Sequence, residues 1–78
     1  MAEEISLYVD GSEEIKIDAD EFGIIKLMIE EAGARDNLAK LKDVIADLVV
    51  QGYNKTRAMN VCLLARRELL SDYQRLTF

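Results

Sequence analysis

Ile5-Ser6-Leu7-Tyr8-Val9-Asp10-Gly11-Ser12-Glu13-Glu14-Ile15-Lys16-Ile17-Asp18-Ala19-Asp20-Glu21 is the stretch that decides the fold. Apolar and polar residues alternate from Ile5 to Val9 and again from Glu14 to Ile17, the period of a half-buried strand. Between the two runs stands Asp10-Gly11, a pair suited to a tight hairpin turn. The alternation predicts an antiparallel hairpin over residues 5–17, with Ile5, Leu7, Val9, Ile15 and Ile17 on one face. Two strands alone are marginal in water, so helices must cover that face. At Asp18 the pattern changes. Asp18 offers a side-chain acceptor at a helix start, and Glu21 follows three residues later, the spacing of a capping box with Asp in the Ser/Thr position. Asp18, Asp20 and Glu21 also meet the positive end of the helix dipole.

From there outward the period is helical. Phe22, Ile25, Met28, Ile29 and Ala32 form one stripe over residues 19–32, with Ile24 on its flank and Gly33 as the stop. A second helix over residues 37–51 starts at Asp36 or Asn37. Its stripe is Leu38, Leu41, Ile45 and Leu48, widened by Val44 and Val49, and Gln51-Gly52 closes it. After Tyr53, Asn54 or Thr56 caps a third helix over residues 55–76. Ala58, Cys62, Ala65, Leu69, Tyr73 and Leu76 line one side of it, while Met59, Val61, Leu63, Leu64 and Leu70 fall on others. Between residues 58 and 65 this helix is apolar almost all round, so it is either central to the core or shared with another chain. The expected class is α+β: an N-terminal β-hairpin followed by three α-helices, the last one long. At 78 residues, the chain is read as a single domain, 1–78.

Composition narrows the chemistry. There is no His, and Cys62 is the only cysteine. That excludes an internal disulfide and a zinc cluster of Cys and His. The lone thiol lies on the apolar stripe, where it reads as a core residue rather than a nucleophile. Asp18-Ala19-Asp20 begins like a calcium loop, but Phe22-Gly23 does not continue the pattern. The carboxylate pairs sit on a turn, in a cap and at a helix end, where they serve structure. No catalytic residue, cofactor or metal is therefore expected, and the chain is read as no enzyme. The start Met1-Ala2-Glu3-Glu4 lacks the basic and apolar regions of a signal peptide. The longest apolar run, Val61 to Ala65, is far too short to span a membrane. A cytoplasmic location and no membrane partner are expected.

The net charge of −5 is unevenly spread. Residues 1–36 carry eleven acids and three bases, a net −8, whereas residues 51–78 carry five bases and two acids, a net +3. Two candidate binding surfaces follow. One is an acidic face made of Glu13, Glu14, Asp18, Asp20 and Glu21. The other is the loop and last helix, with Gly52, Tyr53, Met59, Leu63, Arg66 and Leu70.

Residues 38–76 resemble a ubiquitin-associated (UBA-like) helix–Gly–Tyr–helix segment. Ile45 and Leu48 precede Gln51-Gly52-Tyr53, Asn54 stands at the family's small capping position, and Ala58, Val61, Cys62 and Ala65 fall at the core steps of the next helix. The resemblance implies that Gly52 and Tyr53 form a ubiquitin-contacting loop, with the last helix as the other half of that surface. The family breaks before its third helix, whereas here Arg66-Arg67-Glu68-Leu69 runs straight on.

The leading expectation is a small acidic protein–protein interaction or regulatory module that acts by binding another protein, and that homodimerises through its last helix. A second is a phage-type inhibitor whose acidic face mimics nucleic acid and blocks the groove of a basic, nucleic-acid-binding partner. A third is a helix-turn-helix-like DNA binder using Arg57, Arg66, Arg67 and Arg75, disfavoured by the acidic charge. The fourth is a UBA-like ubiquitin-type binder.

Overall fold

The computed structural model describes residues 3–9 and 13–76. Strand β1 (Glu4–Val9) pairs antiparallel with β2 (Glu13–Asp18), and three helices follow: α1 (Ala19–Glu31), α2 (Leu38–Val50) and α3 (Lys55–Leu76). The expected α+β order of a hairpin and then three helices, the last the longest, is the observed one. Asp10-Gly11 lies outside the described residues, as do the side chains of Val9, Glu13, Tyr73, Arg75 and Leu76.

The hairpin register places Ile5 opposite Ile17 and Leu7 opposite Ile15. Because side chains alternate along a strand, these four share one face. Ile15 and Ile17 are buried, and Ile5 and Leu7 pack partly buried against the core. On the other face Ser6 meets Lys16 and Tyr8 meets Glu14, and the Ser6 hydroxyl donates to Glu14 Oε1 at 3.2 Å.

Each helix begins on the side chain that local chemistry favours. Asp18 Oδ1 accepts from the Asp20 and Glu21 amides at 2.7 and 3.3 Å. Asn37 Oδ1 accepts from Ala39 and Lys40, and Asn54 Oδ1 from Thr56 and Arg57. Asn37 and Asn54, rather than Asp36 and Thr56, are therefore the caps of α2 and α3. The first two helices end alike. Ala34 N–H donates to Ile29 and Gly33 N–H to Glu30, and Tyr53 N–H donates to Leu48 and Gly52 N–H to Val49. Both are Schellman motifs, and each puts its glycine at positive φ, +68° for Gly33 and +111° for Gly52.

Helix α3 is the centre of the packing. It contacts α1, α2 and β1, and it buries Ala58, Val61, Cys62, Leu64, Ala65 and Leu69. Val61 and Leu64 lie off the predicted stripe, yet they are buried because neighbours cover more than one side of the helix. Helix α1 buries Phe22, Ile25 and Ile29 and leaves Ile24 and Leu27 in solvent. Lys26 ties α1 to α3 through Glu68, Nζ to Oε1 at 3.0 Å.

Helix α2 departs from its predicted stripe. Its buried residues are Leu41, Val44 and Leu48, whereas Leu38 is exposed and Ile45 only half-buried. Apolar residues occupy more than half the circumference of this helix, so period alone does not fix its phase. The face that α3 covers does.

The two glycines on helices predict opposite outcomes. Gly23 lies inside α1, and a Cβ there would meet no atom within 4 Å. Gly23→Ala should stabilise the fold by about 0.5–1 kcal/mol, because the unfolded chain loses freedom and no contact is crowded. Gly52→Ala should cost about 1 kcal/mol or more, because its φ of +111° strains any L side chain. Thermal melts of the two variants should move in opposite directions.

Candidate functional site

An apolar groove of about 690 Å³ runs along α2 and α3, lined by Lys42, Ile45, Ala46, Val49, Val50, Lys55 and Met59. Its origin is the rotated phase of α2. With Leu41, Val44 and Leu48 turned to the core, Lys42, Ile45, Ala46 and Val49 fall at i, i+3, i+4 and i+7 on a second face of the helix. The Schellman turn at Gly52-Tyr53 then starts α3, which brings Lys55 and Met59 up beside that face. Val50 is 86 % exposed and Met59 42 % exposed, large values for apolar side chains. One turn after Met59, Leu63 continues the same α3 face and is also exposed.

The groove has a definite electrostatic character. Among the described residues no carboxylate lines it, and the charges that do are the ammonium groups of Lys42 and Lys55. Neither lysine forms an ion pair among the described residues. In a chain of net charge −5 the groove is thus an apolar floor with a positive rim.

Among the loop and last-helix candidates, Met59 lines the groove and Leu63 extends its face. Leu70 is half-buried. Arg66 is half-buried and donates from Nε to the Arg35 carbonyl at 2.8 Å, which fixes the α1–α2 connection to α3. Gly52 and Tyr53 are the C-terminal cap of α2, and Tyr53 packs partly buried against the core. Lys42, Ile45, Ala46, Val49, Val50 and Lys55 were not among the sequence-derived candidates. Their signal was the second helical spacing on α2 and the exposed pair Val49-Val50 at its end.

The acidic candidates are spread over two elements. Glu14 lies on the outer face of the hairpin, 3.9 Å from Lys16 Nζ, and Asp20 is exposed in the first turn of α1. Asp18 and Glu21 are half-buried, and the Asp18 carboxylate is engaged as the α1 cap.

Two of the arginines named for DNA contact, Arg57 and Arg67, reach the edges of the sheet. The bond from Ala19 N–H to the Glu3 carbonyl makes Glu3 and Ala19 a hydrogen-bonded pair. Alternation along the antiparallel ladder then leaves the carbonyls of Lys16 and Tyr8 pointing outward, one on each edge. Arg57 donates to the Lys16 carbonyl at 2.9 Å, and Arg67 donates to the Tyr8 carbonyl at 3.4 Å. Both arginines come from α3, so each edge of a two-stranded sheet is partly closed by the helix beneath it.

Cys62 is buried, and burial pushes its thiol up from 9.0 to about 11. The folded state therefore holds the proton more tightly than the unfolded state. That stabilisation is complete below pH 9 and is lost as pH rises from 9 to about 11. A disulfide reagent at pH 8 should label the native protein at least tenfold more slowly than the urea-unfolded chain.

Among the described residues no three His, Cys, Asp or Glu side chains gather in a way that would hold a metal ion. None of the described helices is long and apolar enough to cross a membrane. No protein-family model matches the chain, and no curated protein or solved structure matches it either.

Proposed function

We propose that this chain acts by binding another protein, not by catalysis, and that it holds an amphipathic helical segment of that partner in the α2–α3 groove. The observation that carries this reading is the groove itself: Ile45, Val49, Val50 and Met59 form its apolar floor, and Lys42 and Lys55, which form no ion pair among the described residues, stand at its rim. Two packed helices present a trough that a third helix fills with residues at i, i+3, i+4 and i+7. The floor supplies affinity through buried apolar area, and the lysines select acidic flanks. Helix α3 then serves both as the hub of the core and as one wall of the binding surface. A reducing, cytoplasmic setting suits the single free thiol.

Fluorescence anisotropy with two labelled helical peptides of about 20 residues tests this reading. Both carry Leu at the four anchor positions, one with Glu on its polar face and the other with Lys. The Glu peptide should bind, and the Lys peptide should bind at least tenfold more weakly, a difference of about 1.4 kcal/mol. Equal affinities, or no binding of either, would reject it.

A second reading draws on the exposure of Glu3, Glu4, Glu14, Asp20, Glu30 and Glu31, which gives the hairpin and α1 an acidic outer surface. Capture of a basic partner by that surface would weaken steeply between low and high salt, because exposed charges are screened. Binding that is indifferent to salt would remove this reading. The DNA-binding reading is less favoured, since Arg57, Arg66 and Arg67 each donate to a backbone carbonyl of the chain itself.

A further inference from the structure

We infer that the α2–α3 groove takes the outer face of α1 from a second copy of this chain, so that the protein self-associates head to face. The inference rests on the reading of the groove as a helix-binding site and names its occupant. The argument begins with the other apolar surface that the fold leaves open. Ile24 and Leu27 on α1 are 59 % and 57 % exposed, although Ile25 beside them is 1 % exposed. In a helix of 3.6 residues per turn, Asp20, Ile24, Leu27 and Glu31 lie at i, i+4, i+7 and i+11 on one face, with Glu30 at its margin. That face has an apolar centre and an acid at each end. The groove has an apolar centre and a lysine on each helical wall.

The two surfaces also match in length. Helix α1 and helix α2 have 13 residues each, about 20 Å of axis. Laid in the groove, Ile24 and Leu27 meet Ile45, Val49 and Met59, while the acids of α1 reach Lys42 and Lys55. Each copy gives one face and offers one groove. Such contacts either close into a small ring, down to a pair, or extend into a chain. Both copies carry net charge −5, so long-range repulsion opposes the approach. At about 150 mM salt the screening length is about 8 Å, which suppresses that repulsion but leaves the close pairs at the rim.

The test is a charge exchange at exposed positions, Glu30, Glu31, Lys42 and Lys55. Glu30→Lys with Glu31→Lys puts bases in the last turn of α1, which has none, where the helix dipole favours them. Lys55→Glu puts an acid in the first turn of α3, where the dipole favours it, and it is combined with Lys42→Glu. Sedimentation at about 150 mM salt and up to roughly 500 µM chain reads the mass. The wild-type protein should rise above the 8.8 kDa of one chain as concentration increases. Each double variant alone should associate at least tenfold more weakly, and an equimolar mixture of the two should associate again. Wild-type protein that stays at the mass of one chain would overturn the inference. So would association that both variants retain, or a mixture that fails to recover. If the chain stays monomeric but the Glu peptide still binds, the groove takes a helix of another protein. The self-association is then wrong and the groove reading stands. If neither occurs, both fall.

Discussion

Ile25→Ala should lower stability by about 3 kcal/mol, whereas Ile24→Ala, one residue earlier, should change it by no more than about 0.5 kcal/mol. The two residues share a helix and a side-chain type, and they differ in what surrounds them. Ile25 is 1 % exposed and stands among the buried residues of the core, whereas Ile24 is 59 % exposed. Removing Ile25 loses its transfer free energy and leaves a cavity that α3 and the hairpin cannot close, because the α1 cap, the Schellman turn and the Lys26–Glu68 pair fix the helix in place. A domain of this size has roughly 4–12 kcal/mol of stability in total. The Ile25 variant therefore should melt far below the parent, and its urea midpoint should drop with little change in slope. Equal effects at the two positions would mean that α1 is not seated as described.

The second large effect is on binding. Val49→Gln with Met59→Gln should weaken capture of the acidic helical peptide by roughly a hundredfold, since each removes about 1.5 kcal/mol of apolar burial at the interface. The same pair should change stability by no more than about 1 kcal/mol. Both side chains already face solvent, at 37 % and 42 % exposure, and Gln suits a helix at least as well as Val does. Anisotropy and urea unfolding on one preparation separate the two quantities. A large fall in stability would show that the groove residues belong to the core. Unchanged affinity would show that the groove is not where the peptide binds.

The contrast between these pairs shows what the sequence could convey. The hairpin was legible because Ile5, Leu7, Ile15 and Ile17 alternate with polar residues, and one register puts all four on the same side. The helix ends were legible because Asp18, Asn37 and Asn54 can each accept backbone amides, and Gly33 and Gly52 can take positive φ. The phase of α2 was not. Leu38, Leu41, Val44, Ile45, Leu48, Val49 and Val50 surround more than half of that helix. Choosing between the Leu38–Ile45 side and the Leu41–Val44–Leu48 side needs the position of α3, which no local pattern encodes. The groove is the residue of that choice, so the α2 half of the site was hidden while Met59 and Leu63 on α3 were in view.

The same logic explains the apolar excess of α3. A helix that is apolar almost all round was expected to be either central or shared. The structure makes Val61, Cys62, Leu64 and Ala65 central and leaves Met59 and Leu63 over. The basic residues of α3 were legible as charges but not as roles. That Arg57 and Arg67 reach opposite edges of the hairpin follows only once α3 is seen to lie beneath the sheet.

The most direct test of the helix-binding groove is a titration of the isotope-labelled chain with the Glu-faced peptide, followed by amide resonances. The groove account predicts shifts confined to residues 42–50 and 55–63, with residues 4–9 and 14–18 of the hairpin unmoved. Shifts centred on the hairpin, or none at a peptide concentration of about 1 mM, would contradict it.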